Sequence, residues 1–198
     1  VYDQPDFKLE AIKFTSSVTD HDASWLGEAR SYQQSYTNPV VVGQVMTAND
    51  SAWSVFWASN GSTGNPPSSS SLSVGKHVAE DTSISRSNET IGYLVIEAGS
   101  GNIGDLSFTA GVGNDVVQGL VDAAPYVYPL TGNYEVALIA SAGMDGTNGG
   151  WPVLYGSNPT GSALDLAIDE DQINDSERNR TTDQVAYLAM SQSITELD

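Results

Sequence analysis

The chain has 198 residues, 39% of them hydrophobic, and sets 25 acidic side chains against seven basic ones, a formal net charge of −18. A surface of that sign repels phosphate backbones and anionic bilayers, which argues against nucleic acid and membrane partners. The absence of cysteine excludes disulfides, thiol catalysis and Cys-ligated zinc or iron–sulfur centres, and no apolar run reaches the ~18–20 residues that span a bilayer.

In chain order the sequence predicts strands over 8–18, 29–36, 39–48, 52–59, 72–79 and 90–97, then over 103–112, 117–127, 134–142, 152–156, 163–168 and 184–192. Each is a short run of β-branched and aromatic residues bounded by turn formers, and no long 3.6-residue apolar period survives to suggest a helix. Asn60-Gly61 reads as a hairpin-turn dipeptide, 64–71 as a polar loop, and 99–102 as a linker. Alternation puts Trp53, Val55 and Trp57 on one side of their strand and Ser54, Phe56 and Ala58 on the other.

The second set of strands echoes the first. Phe14-Thr15 returns as Phe108-Thr109, Tyr32 as Tyr126, Arg86 as Arg180 and Tyr93 as Tyr187, each 94 positions later. Trp53-Ser-Val55-Phe-Trp57 faces Trp151-Pro-Val153-Leu-Tyr155 after a four-residue slip. A period of that length suits one small domain per copy rather than a solenoid repeat. The expected fold is therefore all-β: two tandem six-stranded antiparallel β-sandwiches, 1–99 and 100–198, the second divergent. A single larger barrel or jelly roll is the structural alternative.

Three segments carry a family likeness: Asp22-Ala-Ser-Trp25, Tyr36-Thr-Asn-Pro39-Val-Val-Val42, and Glu89-Thr-Ile-Gly-Tyr93-Leu-Val-Ile96-Glu-Ala-Gly99. They resemble the H-type lectin domain family, and more closely the H-type-lectin-like repeats of large secreted proteins from marine and halophilic microbes. The resemblance implies a six-stranded antiparallel sandwich, commonly trimeric, that binds sugars such as N-acetylgalactosamine without catalysis. It also implies a pocket built from an Asp just before an early Trp, a basic residue on the middle strand and polar or aromatic groups before the last strand. Asp22 and Trp25 match the first element; Asp81, Thr82, Arg86 and Glu89 stand in the third; the middle strand has no arginine.

Sugar recognition needs an aromatic face for the C–H side of a ring and a few planar polar groups for its hydroxyls. Asp22, Trp25, Trp53, Trp57, Arg86 and Glu89 are the candidates for holding a polysaccharide or glycan. For Arg86 and Glu89 the competing reading is an ion pair beside the last strand, repeated as Arg180 and Asp183. Asp169, Asp171 and Asp175 offer the oxygen donors that calcium takes, although Ile173 and Asn174 occupy positions where an EF-hand loop wants a ligand and a glycine. A solvated acidic loop is the other reading of that stretch. No nucleophile elbow, metalloprotease helix or phosphate loop appears, so no enzyme and no cofactor beyond calcium is expected. Starting at Val1, the chain reads as a processed secreted protein or an excised module. The expected function is a non-catalytic extracellular carbohydrate-binding module, with a homo-oligomer or self-assembly as its quaternary form. The alternative is a structural subunit of an adhesin, surface layer or extracellular filament.

Overall fold

The computed structural model describes residues 1–4, 7–22 and 24–191. The described residues form strands and no helix. In chain order the strands are β1 (Tyr2–Gln4), β2 (Phe7–Ser16), β3 (Glu28–Arg30), β4 (Pro39–Val45), β5 (Val55–Ser59), β6 (Leu72–His77) and β7 (Glu89–Glu97). They continue as β8 (Gly99–Ile103), β9 (Leu106–Val112), β10 (Tyr126–Pro129), β11 (Val136–Ala142), β12 (Trp151–Leu154), β13 (Ala163–Asp169) and β14 (Val185–Met190). The segment 99–102, expected as a linker, is instead the body of β8, which pairs antiparallel with β9. Asn60-Gly61 makes no two-residue hairpin: β5 and β6 pair from Ser59 and Ser73 onward, with a loop between. The expected strand 117–127 is mostly irregular, touching its neighbours through single bridges at Val117 and Gly119 before β10 begins. Gln192, at the end of the last expected strand, lies outside the described residues.

Three sheets result, ordered β1-β2-β7-β4, β3-β6-β5-β11-β14-β9-β8 and β10-β13-β12. The order β2-β7-β4 and β3-β6-β5 in the first half recurs as β9-β14-β11 and β10-β13-β12 in the second. The halves are not separate, however. The parallel pairing of Trp57 with Ser141 and Ala58 with Ala142 joins β5 to β11 and makes one sheet of seven strands.

Alternation along β14 shows how the layers stack. Ala186 and Leu188 belong to a core with Phe56, Ala58, Val41 and Val95, whereas Val185 belongs to a second core with Leu164, Leu166, Ile168 and Tyr128, with Tyr187 packed against it. The four-stranded sheet thus lies on one face of the seven-stranded sheet and the three-stranded sheet on the other. The first core draws Phe108, Ala110, Ala140, Ala142, Ala186 and Leu188 from the second half. In strand β4 Val40, Val41 and Val42 are all buried, and β5, β11 and β14 pack against the strand. Burying a valine or leucine fully contributes about 1.5–3 kcal/mol, so this shared interior ties the halves together.

Register corrects one detail of the repeat. With Tyr93 matched to Tyr187, Val41 opposite Val95 corresponds to Ala137 opposite Ala189. Leu9 opposite Ile96 then corresponds to Phe108 opposite Met190, so Phe14 and Phe108 are not equivalent. An odd slip turns a strand's side chains to the other face. Phe108 accordingly points to the junction between the halves, where it meets Phe7 with ring centroids 5.1 Å apart.

Candidate functional site

The six expected sugar-binding residues separate into two places. Trp57 is 1% exposed, and its indole N–H donates to Asp20 at 2.9 Å. Asp20 also accepts from the backbone N–H groups of Leu26 (2.9 Å) and Gly27 (3.0 Å). Burial raises its pKa, and those three donors oppose the rise. Trp25 packs edge-on against both Trp57 (5.7 Å) and His77 (5.4 Å) and donates its indole N–H to the Thr147 carbonyl at 3.1 Å. It is a wedge between the halves. Asp22 is exposed beside it, and its backbone N–H is bound to the Ala79 carbonyl at 2.9 Å. Asp20, not Asp22, is therefore the carboxylate that organises this region.

Arg86, Glu89 and Trp53 gather at the second place. Glu89 makes no pair with Arg86. Its carboxylate accepts from the Thr47 hydroxyl (2.5 Å) and from the backbone N–H groups of Asn49 (3.1 Å) and Asp50 (2.8 Å), tying down the loop after β4. Burial pushes its pKa up, but those donors outweigh it and the net shift is downward. Arg86, its side chain 5% exposed, binds Asp81 at 2.5 Å and Asp50 at 3.6 Å. The Asp50 carboxylate accepts in turn from the backbone N–H of Ser87 at 2.9 Å. Trp53 stands beside this network, 37% exposed, and meets Trp151 at 5.3 Å. The two tryptophans occupy matched positions of the repeat, so the contact joins like to like across the junction.

Around this pair run two shallow cavities that share Val45 and Ser54. One, of 200 Å³, is lined by Thr47, Asp50, Trp53 and Glu89; the other, of 240 Å³, by Gln44, Phe56, Ile139 and Trp151. The exposed Trp53 edge, the Ser54 and Gln44 side chains and the bound carboxylates line this surface.

The second half repeats the clamp with different surroundings. Asp183, matched to Glu89, accepts from the backbone N–H of Asp145 at 2.8 Å, just as Glu89 holds Asn49. Arg180 binds Asp183 through Nε and Glu170 through Nη1, the latter at 2.7 Å. Gly146 and Gly150 lie against its guanidinium, where a Cβ at either position would stand 3.0 to 3.2 Å from the central carbon. The cluster is closed to solvent. Burial raises the Glu170 pKa to about 7 against the pull of Arg180, with Glu177 and Glu80 adding to the rise. His77 is fully enclosed nearby, and burial, reinforced by the Arg180 charge, takes it down to about 3.

The expected calcium ligands bind within the protein. Asp169 pairs with Arg178, Asp171 accepts from the backbone N–H groups of Glu80 (3.0 Å) and Ile173 (2.8 Å), and Asp175 accepts from that of Glu177 (3.0 Å). Among the described residues no group of three His, Cys, Asp or Glu side chains converges to hold a metal. Sequence reasoning missed Asp20, Asp50, the pairing of Glu170 with Arg180 and the role of Trp151. The Trp53/Trp151 match in the repeat is the signal that the sequence offers for their contact.

No protein family matches the chain, and no solved structure does. Among curated proteins it is similar to halomucin of Haloquadratum walsbyi (strain DSM 16790 / HBSQ001), 27% identical over 164 residues. The match covers 82% of this chain and 2% of halomucin, so the chain corresponds to a short stretch of that protein.

Proposed function

We propose that the chain is a non-catalytic structural module of a large extracellular protein from a salt-rich habitat, built from two fused copies of one six-stranded sandwich unit. One observation carries this reading: Trp25, Trp57, Arg86 and Glu89, four of the six side chains that a lectin-like pocket would present, use their polar groups or rings inside the fold. The repeated strand order supports the two-copy origin. The net charge of −18 suits brine, where screening shortens the range of self-repulsion. The likeness to a short stretch of halomucin is in keeping with a module of a longer chain.

Glycan recognition is the second reading, favoured by the exposed Trp53 edge beside Ser54 and Asp50. A glycan array probed with wild-type protein and with Trp53→Ala separates the two. The structural reading expects no sugar bound above background by either protein. Binding of a neutral, amino or sulfated sugar that Trp53→Ala abolishes, with the fold retained, would replace it with the lectin reading.

A further inference from the structure

The outward face of β2, β7 and β4 is unlike the rest of this acidic molecule. Cross-strand pairing sets Lys13, Gly92 and Gln44 in one row and Ala11, Leu94 and Val42 in the next. Leu138 of β11, 43% exposed, closes the side of a groove of 680 Å³ that these two rows floor. Gly92 leaves the floor without a side chain, and Met46, 54% exposed, lays its thioether across the gap where a Cβ would collide with it. A flexible methionine over an apolar floor adapts readily to different occupants.

Charge sets the groove apart further. No acidic residue lines it, although the chain has 25. The cation on its rim is also unmatched. Lys8 and Lys76 donate to the carbonyls of Ser35 and Ser87, Arg30 lies over the Phe14 ring, and Arg86, Arg178 and Arg180 hold carboxylates. Among the described residues the Lys13 side chain makes no hydrogen bond, ion pair or ring contact.

We propose that this groove binds a small amphiphilic anion, its hydrocarbon body on Ala11, Val42, Leu94 and Leu138 and its headgroup on Lys13 Nζ. The volume falls within the range of small-molecule sites, which are mostly apolar with a few placed polar groups that fix orientation. Apolar contact supplies the affinity, and Lys13 selects the sign of the head and is screened as salt rises. This inference shares only the Gln44 edge with the surface beside Trp53 and otherwise stands on residues of its own.

Calorimetric titration tests it, with sodium dodecanoate below its micelle-forming concentration as the probe. Dodecyl phosphate separates a lipid-type headgroup from a free carboxylate, and dodecan-1-ol and dodecyltrimethylammonium serve as uncharged and cationic controls. Dodecanoate binds at one site, and Lys13→Glu weakens it roughly tenfold, by reversing an exposed charge pair, while dodecanol changes less than about twofold. Ala11→Trp, which fills the groove from an exposed position, abolishes both. Failure of dodecanoate to bind, or equal binding to wild type and both variants, overturns the proposal. A concentration-dependent dimer that Ala11→Trp disrupts, with no dodecanoate bound, overturns it in favour of a second copy of the chain.

Discussion

In the first half, Arg86 reaches Asp81 and Asp50, carboxylates whose side chains keep 20% of their exposure, and Glu89 is left to clamp the loop after β4. In the second half the matching arginine, Arg180, lies between Asp183 and Glu170, with side chains only 1 to 6% exposed. The same spacing of arginine and acid therefore serves in the first half as a loop lock whose arginine pairs with partly exposed carboxylates, and in the second as a fully buried ionic cluster. What differs is the company. Arg180 is enclosed by the glycine-bearing loop after β11, and its charge adds to the burial that depresses the His77 pKa. A repeated motif thus fixes the backbone task, clamping the loop after β4 or β11 beside the start of the closing strand, and leaves the electrostatics to whatever packs outside it.

The largest expected difference between the halves comes from removing each arginine. Arg180→Ala leaves two buried carboxylates sharing no cation and should cost about 3–5 kcal/mol. Arg86→Ala should cost about 1–2 kcal/mol, because its partners fall back on water. Denaturant unfolding of both variants at neutral pH checks this; equal losses would mean that the two settings are equivalent.

A smaller effect separates the halves by the sign of their pH dependence. Glu170 in the folded state titrates near 7, above the ordinary carboxyl value. Its contribution to stability is therefore present at low pH and is lost as pH rises through 7. Glu170→Gln, which keeps an acceptor for Arg180, should gain roughly 1–3 kcal/mol relative to wild type between pH 5 and pH 8. Glu89 is shifted downward, so its contribution is present above the ordinary carboxyl value and is lost as pH falls below it. Glu89→Gln should be weaker than wild type by about 1–2 kcal/mol at neutral pH and should converge with it in acid. Parallel pH profiles for the two variants would contradict the assignment.

Much of this was legible in the sequence where side-chain alternation and turn residues govern. The expected strands at 39–48, 72–79, 90–97 and 163–168 overlie β4, β6, β7 and β13 within one to three residues at each end. The split of Phe56 and Ala58 from Trp57 across β5 follows from the same period of two, and the structure keeps it. Illegible were features whose partners come from the other half. Gly99-Ser-Gly-Asn is a different case: it reads as a linker because its glycines and polar residues carry no strand pattern, although its partner β9 follows directly in the same half. Lys76 and His77 look like ordinary polar residues of an exposed strand, yet both are enclosed by packing that no local pattern announces. Trp25 read as a ligand platform because its contacts with Thr147 and His77 join segments far apart in the chain. The Phe14/Phe108 match misled for a related reason: two residues alike by chance outweigh a register that only the ladder reveals.

The central physical claim is that the β5–β11 joint and the interior drawn from both halves make the chain one cooperative unit. Scanning calorimetry of the whole chain in concentrated salt tests it most directly. One transition with equal calorimetric and van't Hoff enthalpies, shifted as a whole by Arg180→Ala, is the predicted result. Two resolved transitions, only one of them moved by Arg180→Ala, would contradict it.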